Sequence, residues 1–373
     1  MSMNILKGNG DGPYNIQPTD TFWKFRTYPF NSEVGSVGLG DYESLKRFLP
    51  MENMAPPVYT AAANGQRARE KADPVWEYHK YIGYQDYISR YGPVKDARDF
   101  AMKAQLVNYD QYRALMEGFS AHMWSWYTGT IIWKTQNPWT ALRGQMYDYY
   151  LDPNACLYGL RNGGEPVHAM YNPVEGTVMT VNNRFTSINN GFLTVEAFDM
   201  DGHSTALPGG YGIVKLDAGA VNTFKSIKDT LDKLRAAKGI FLSIHLSNTN
   251  KRTFSNNIYW LPAANGQYTG LNELKPATLV LNATIEKPGQ MGVELINETG
   301  AIAFFNRISI LHPLTKERIL PAFYSDNYIT LLPYTRKYVF IEWNDKSLTP
   351  LVNIEGWNAT PKTVIPSTGT PGK

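Results

Sequence analysis

The hydrophobic rhythm of this chain changes twice along its length. An aromatic run, Phe22-Trp23-Lys24-Phe25-Arg26-Thr27-Tyr28-Pro29-Phe30, is rich in strand formers and ends at a proline, which cannot donate to a sheet ladder. From Asp41 to Leu151 the spacing turns helical. Asp41 to Leu49 reads as a first helix, stopped by Pro50, Pro56 and Pro57. Val94 to Trp126 reads as a long one: Phe100, Ala104, Val107, Tyr112, Leu115 and Met116 recur at helical spacing, and Pro93 suits its first turn. Gly129 to Thr135 is β-branched and of strand length, and after Gln136-Asn137-Pro138-Trp139 another helix is expected as far as Tyr150. Strand, helices, strand, helix is one and a half βα repeats. That is the tail of a parallel barrel and too little to close one.

Beyond Pro153 the period shortens to that of strands. Val167 to Tyr171, Val178 to Asn183, Phe192 to Asp199, Ile213 to Leu216 and Gly239 to Ser247 alternate between Gly, Asn and Asp turns and predict a β-sandwich. The rhythm repeats from near Asn257, with Thr278 to Ile285, Met291 to Asn297, Ala301 to Leu311, Tyr328 to Leu332 and Tyr338 to Trp343 predicting a second. The expected divisions are residues 1–160, 161–255 and 256–358. Residues 359–373, mostly Thr, Pro, Gly and Lys, are expected to be a disordered tail.

Composition narrows the function. With 43% hydrophobic and 13% aromatic residues in 373, the chain can bury a full core. Its 36 Lys and Arg against 33 Asp and Glu, in no long block, leave no electrostatic footprint for nucleic acid. No stretch approaches the roughly 18 apolar residues a membrane helix needs, and the N-terminus has no signal-peptide core. Sequons at Asn282, Asn297 and Asn358 matter only in a secreted protein, and the sequence assigns no compartment. The single cysteine, Cys156, excludes an internal disulfide and a cysteine-built zinc site. The histidines His79, His122, His168, His203, His245 and His312 are scattered at no metal spacing, so neither a metal nor a cofactor is expected. Gly35-Ser36-Val37-Gly38-Leu39-Gly40 lacks the dinucleotide or phosphate-loop spacing.

One carboxylate stands out: Glu33, in Asn31-Ser32-Glu33-Val34-Gly35-Ser36, just past the expected end of the aromatic strand. In (β/α)8 barrels that edge carries the catalytic groups. The plainer alternative is a surface glutamate in a turn.

Phe30-Asn31-Ser32-Glu33-Val34-Gly35-Ser36 and Gly129-Thr130-Ile131-Ile132-Trp133-Lys134-Thr135-Gln136-Asn137-Pro138-Trp139 together resemble barrel strands seven and eight of glycoside hydrolase family 2. Gly144 to Gly159 is similar to the final barrel helix of that family's β-mannosidase and exo-β-glucosaminidase branch. Glu165-Pro166-Val167-His168, Asn257-Ile258-Tyr259-Trp260-Leu261-Pro262 and Phe323-Tyr324-Ser325-Asp326-Asn327-Tyr328 look like its later sandwiches. Within the branch, Trp133 to Trp139 and Tyr147 to Pro153 look most like the plant-type mannosylglycoprotein endo-β-mannosidases.

The resemblance implies a multidomain α/β plus all-β protein: the C-terminal part of a (β/α)8 TIM barrel followed by two immunoglobulin-like β-sandwiches. It implies a retaining glycosidase, with Glu33 as nucleophile, cleaving the Manβ1-4GlcNAc linkage of the N-glycan core. A chitosan-derived glucosaminide is the alternative substrate, and a noncatalytic carbohydrate-binding or assembly module the alternative class. Trp133 matches an aromatic platform under the sugar ring, or else a core tryptophan. Gln136 and Asn137 match donors to substrate hydroxyls, or ordinary turn polarity; Trp139 walls a neighbouring subsite or packs on Tyr147 and Tyr150. Asn31 and Ser32 order the Glu33 carboxylate or merely the turn.

The family's acid/base lies on barrel strand four, normally in an Asn-Glu pair. The pair Asn297-Glu298 falls in the last sandwich and does not supply it. The acid/base and barrel strands one to six are therefore expected from an upstream part of the same enzyme, and the isolated chain is expected to be inactive. An open two-strand remnant would expose the Glu33 strand as a bare edge.

Overall fold

The computed structural model describes residues 9–24, 28–60 and 69–368. The chain divides into two units, one of Met1–Tyr149, Pro153–Asp199 and Ser204–Leu271, the other of Tyr150–Asp152, Met200–His203 and Asn272–Lys373.

In the first unit the aromatic run does not make the expected strand. Thr21–Lys24 is one helical turn, in which the Trp23 and Lys24 N–H groups donate to Asp20 O at 3.1 Å. Phe22 packs on Leu115, Phe119 and Tyr127, so tertiary contact overrides aromatic strand preference here. Phe25, Arg26 and Thr27 lie outside the described residues. The strand begins only at Phe30 and runs to Val34, with Asn9–Asp11 parallel on one side and Gly129–Ile132 parallel on the other. Two corrections follow. Glu33 lies on the strand, opposite Asp11, not beyond it; and the strand is not a bare edge. The sheet's outer strands are Asn9–Asp11 and Gly129–Ile132, with no further described strand beyond either, and Ile131 on the latter is exposed.

The expected long helix spans Ala97–Ala121. It starts at Asp96, whose side chain accepts from Asp99 N at 2.8 Å, so the cap sets the boundary rather than Pro93. No helix forms between Trp139 and Tyr150. Side-chain amides take the backbone groups instead: Asn137 donates to Arg143 O at 2.9 Å, Gln145 to Ala141 O at 2.6 Å and Asn154 to Gln145 O at 2.9 Å. The helix comes later, at Ala155–Gly163. It presses on the long helix at Gly159, where a Cβ would sit 2.1 Å from Tyr109 O.

The first sandwich joins a sheet in the order Ala220–Ser226, Thr177–Asn182, Val167–Asn172 to another in the order Thr253–Leu261, Ile240–Asn248, Ile188–Phe198, Ser204–Leu216. Val167, Leu193, Val195, Leu242 and Ile244 lie in its core. Thr253–Leu261 pairs along its length with Ile240–Asn248, so the expected boundary after residue 255 would cut a strand; the units part after Leu271.

A buried polar cluster links this sandwich to the long helix. Glu117 Oε1 accepts from His168 Nε2 at 3.0 Å, Asn257 Nδ2 at 2.7 Å and the Tyr259 hydroxyl at 2.7 Å. Arg113, one turn back, donates to Ile258 O at 2.7 Å and pairs with Asp110 at 2.7 Å. Burial alone would depress His168, but hydrogen bonds to Glu117 and Glu165 outweigh it and hold the imidazole above its usual value.

The second unit is also two sheets. One runs Ala322–Tyr324, Arg336–Trp343, Gln290–Asn297, Leu279–Lys287, Ser367–Thr368; the other runs Ile329–Leu331, Ala303–Leu311, Leu351–Glu355, Lys362–Val364. Lys362–Val364 pairs with Leu351–Glu355 and Ser367–Thr368 with Leu279–Lys287, so the expected tail is strand as far as Thr368; residues 369–373 lie outside the described residues. Asn297 is buried and donates to Ala301 O at 2.7 Å and Leu332 O at 3.0 Å, which is a turn-holding role. Within the same unit Asp152, 5% exposed, accepts from Arg307 at 2.7 Å and Arg318 at 2.8 Å.

Candidate active site

The Glu33 strand is fastened to the segment before it by polar side chains. Asn31, fully buried, donates to Gly12 O at 2.8 Å and accepts from Glu33 N at 3.2 Å. Ser32 Oγ donates to Gly10 O at 2.8 Å. Both residues thus order main chain, and neither touches the Glu33 carboxylate. That carboxylate takes its hydrogen bond from the Tyr14 hydroxyl, 2.8 Å from Oε2. The same hydroxyl lies 3.4 Å from Asp11 Oδ2. Burial, then the bond to Glu33 and the charge of Asp11, push the Tyr14 hydroxyl well above its ordinary range, so it remains a donor at neutral pH.

On the other side Trp133 is locked against the same strand. Its N–H donates to Val34 O at 2.8 Å, and Gly35 passes so near that a Cβ there would lie 1.8 Å from Trp133 O. Only glycine permits that approach. Trp133 is 45% exposed, and Lys134 Nζ lies 5.4 Å from its ring centroid.

Tyr14, Trp133, Lys134, Asn137, Trp139 and Arg143 line one pocket of about 290 Å³, with Lys80 at its side. Glu33 meets the pocket through Tyr14. Trp139 stacks on His79 at 5.8 Å and meets Tyr78 edge-on at 5.9 Å, a packing the sequence did not suggest. Asn137 is in the lining, but it is 4% exposed and its amide is committed to Arg143 O and, at 3.1 Å, to Gln145 Oε1. Gln136 is exposed, outside the lining, with its amide 3.5 Å from Asp148 O. The sequence reading passed over Tyr14, Asp11, Lys80 and Arg143. Gly10-Asp11-Gly12-Pro13-Tyr14 reads as a turn, and its only chemical signal is an acid and a phenol three residues apart.

The lining is aromatic and cationic, with no described carboxylate in it. A flat ring beside an acid suits a pyranose: its C–H face packs on the indole and its hydroxyls find polar partners. Among the described residues no group of three His, Cys, Asp or Glu side chains is placed to hold a metal ion.

Residues 257–359 match the family described as the exo-beta-D-glucosaminidase Ig-fold domain. The mannosylglycoprotein endo-beta-mannosidase of Lilium longiflorum is 31% identical over 94% of this chain and 44% of its own length. An exo-beta-D-glucosaminidase of Arthroderma benhamiae is 27% identical over 95% of this chain and 42% of its own. The chain therefore spans less than half the length of these relatives. In structure it is similar to the Amycolatopsis orientalis exo-chitosanase complexed with PNP-beta-D-glucosamine, with TM-score 0.75 and 22% identity over 95% of this chain and 45% of that one. The beta-D-mannosidase of Dictyoglomus thermophilum gives TM-score 0.68 at 15% identity, over 92% and 39%. These structural likenesses establish the fold.

Proposed function

We propose that the chain, similar over most of its length to an endo-beta-mannosidase and to exo-beta-D-glucosaminidases, belongs to the β-mannosidase and exo-β-glucosaminidase branch of glycoside hydrolase family 2 and supplies the nucleophile part of a retaining β-mannosidase. The parallel strands Asn9–Asp11, Phe30–Val34 and Gly129–Ile132 are, in this reading, the last three of a (β/α)8 barrel. Glu33 attacks the anomeric carbon as the bond to the aglycone oxygen breaks, and that oxygen takes a proton from the acid partner. Water, losing its proton to the same partner, then displaces the sugar from Glu33 with net retention.

The observation that carries this is the Glu33 carboxylate at the strand end, held by Tyr14 beside a pocket floored by Trp133. Trp133 is the platform and Trp139 a subsite wall, while Asn31, Ser32, Gln136 and Asn137 hold the main chain around them. The acid/base partner belongs to further polypeptide that completes the barrel, so the chain by itself turns over no glycoside. The substrate is a β-mannoside such as the Manβ1-4GlcNAc of the N-glycan core. Lys80, Lys134 and Arg143 favour it over a glucosaminide, whose protonated amine they repel.

The test is co-expression with the upstream polypeptide of the same enzyme and assay on p-nitrophenyl β-D-mannoside and β-D-glucosaminide. Turnover of the mannoside, abolished by Glu33→Gln, is expected. Turnover that survives Glu33→Gln sinks the assignment of Glu33, and preference for the glucosaminide sinks that of the substrate.

A further inference from the structure

The hydroxyl that holds Glu33 has a second claimant. Asp11 and Glu33 are register partners on neighbouring parallel strands, and Tyr14 Oη stands 3.4 Å from the first carboxylate and 2.8 Å from the second. A phenol carries one proton and donates to one acceptor at a time. We infer that Asp11 is a positioning residue for the reaction, competing with Glu33 for the Tyr14 proton. The inference rests on the reading of Glu33 as nucleophile.

The consequences differ between the two states of the reaction. While Glu33 is a carboxylate, the shorter contact wins and Tyr14 donates to it; the charge of Asp11 beside them keeps that bond from becoming a deep trap for the nucleophile. Once Glu33 carries the sugar as an ester it has lost its charge and is the weaker acceptor. The Tyr14 hydroxyl then turns to the Asp11 carboxylate, and no polar group is stranded. Asp11 thereby lowers the step from free to glycosylated enzyme. It is not read as the acid/base: it sits beside Glu33 on the adjacent strand of the same sheet, whereas the proton donor must face the nucleophile across the scissile bond. The charge of Asp11 is also among the causes that raise the Tyr14 hydroxyl, after burial and the bond to Glu33. The charged side chains that line the pocket together with Tyr14 are Lys80, Lys134 and Arg143, which Asp11→Asn leaves in place.

Two measurements test it. In the assembled enzyme, Asp11→Asn keeps an acceptor oxygen but removes the charge. It is expected to lower kcat for a substrate with a poor leaving group by about three- to tenfold at unchanged KM. Asp11→Glu is expected to recover most of the loss, and in a Tyr14→Phe background Asp11→Asn should add little. In the chain alone, the Tyr14 ¹³Cζ resonance, assigned by its loss in Tyr14→Phe, is expected to move with Asp11→Asn as well as with Glu33→Gln at neutral pH. A resonance that follows Glu33→Gln but ignores Asp11→Asn overturns the inference, as does full additivity of Asp11→Asn and Tyr14→Phe in kcat. If Asp11→Asn fails to fold, Asp11→Ser removes the same charge and is read the same way. If the assembled enzyme hydrolyses no glycoside, the function proposed for Glu33 fails, and the resonance alone decides whether Asp11 shares the hydroxyl.

Discussion

The Tyr14 hydroxyl and the Glu33 carboxylate meet at 2.8 Å although 19 residues separate them in the chain. Tyr14 is the donor that orients the Glu33 carboxylate, so Tyr14→Phe in the assembled enzyme is expected to lower kcat by roughly tenfold through lost positioning, which outweighs relief of the ground-state bond. Circular dichroism should be unchanged, since the substitution removes one oxygen at a partly open site. A kcat within twofold of the parent would show that Glu33 is held by something else.

The retaining mechanism proposed above would pass through an ester on Glu33, and that ester can be caught. A 2-deoxy-2-fluoro-β-mannoside with a good leaving group is expected to add one sugar mass to the assembled enzyme. Peptide mass spectrometry should place it on the segment containing Glu33, and Glu33→Gln should take up none. Modification of a different carboxylate would move the nucleophile elsewhere.

Gly35 leaves no room for a side chain beside Trp133 O. Gly35→Ala is expected to cost about 1–3 kcal/mol through overpacking and to push Trp133 off the strand, so that its fluorescence shifts and activity falls together. An alanine variant with parental stability and emission would contradict the close approach.

His168 gives a pH signature with a definite sign. Its value in the fold lies above the ordinary one because Glu117 and Glu165 outweigh burial. The stability it contributes is therefore complete below about pH 6.5 and is lost as the pH rises through the folded value. Urea midpoints of the isolated chain should fall over that window, and in His168→Gln the fall should flatten. A slope unaltered by His168→Gln would mean that other groups carry it.

Asp152 compensates two buried arginines, Arg307 and Arg318. Asp152→Ala removes the carboxylate that both guanidiniums share and is expected to destabilise the second unit by about 3–5 kcal/mol. Differential scanning calorimetry should show the loss. A shift of less than about 1 kcal/mol would mean that water or Glu355, 3.5 Å from Arg318, takes over the role.

Where sequence and structure agree, the signal was long or repeated. Phe100, Ala104, Val107 and Leu115 mark one helix face, and all are buried in Ala97–Ala121. The β-branched run at Gly129–Ile132 is a strand, as is each alternating segment of the sandwiches. Asn9–Asp11 was illegible because three residues, one of them glycine, show no alternation and pair only with a strand 20 residues on. The aromatics of 139–150 imitate helical spacing, but the amides of Asn137, Gln145 and Asn154 decide the loop, and amide pairing leaves no periodic trace. Of the pocket, Trp133 and Trp139 could be picked out as large aromatics behind a strand. Tyr14, Lys80 and Arg143 could not, since they come from three separate loops brought together only by the fold.

The unpaired side of Gly129–Ile132, with Ile131 turned to solvent, also bears on how the polypeptide can be handled. Two copies meeting ladder to ladder would satisfy the same amides and carbonyls that a strand from the proposed upstream polypeptide would occupy. Correct assembly and self-aggregation thus compete for one seam, and the yield of usable protein depends on which is present when the chain leaves the ribosome.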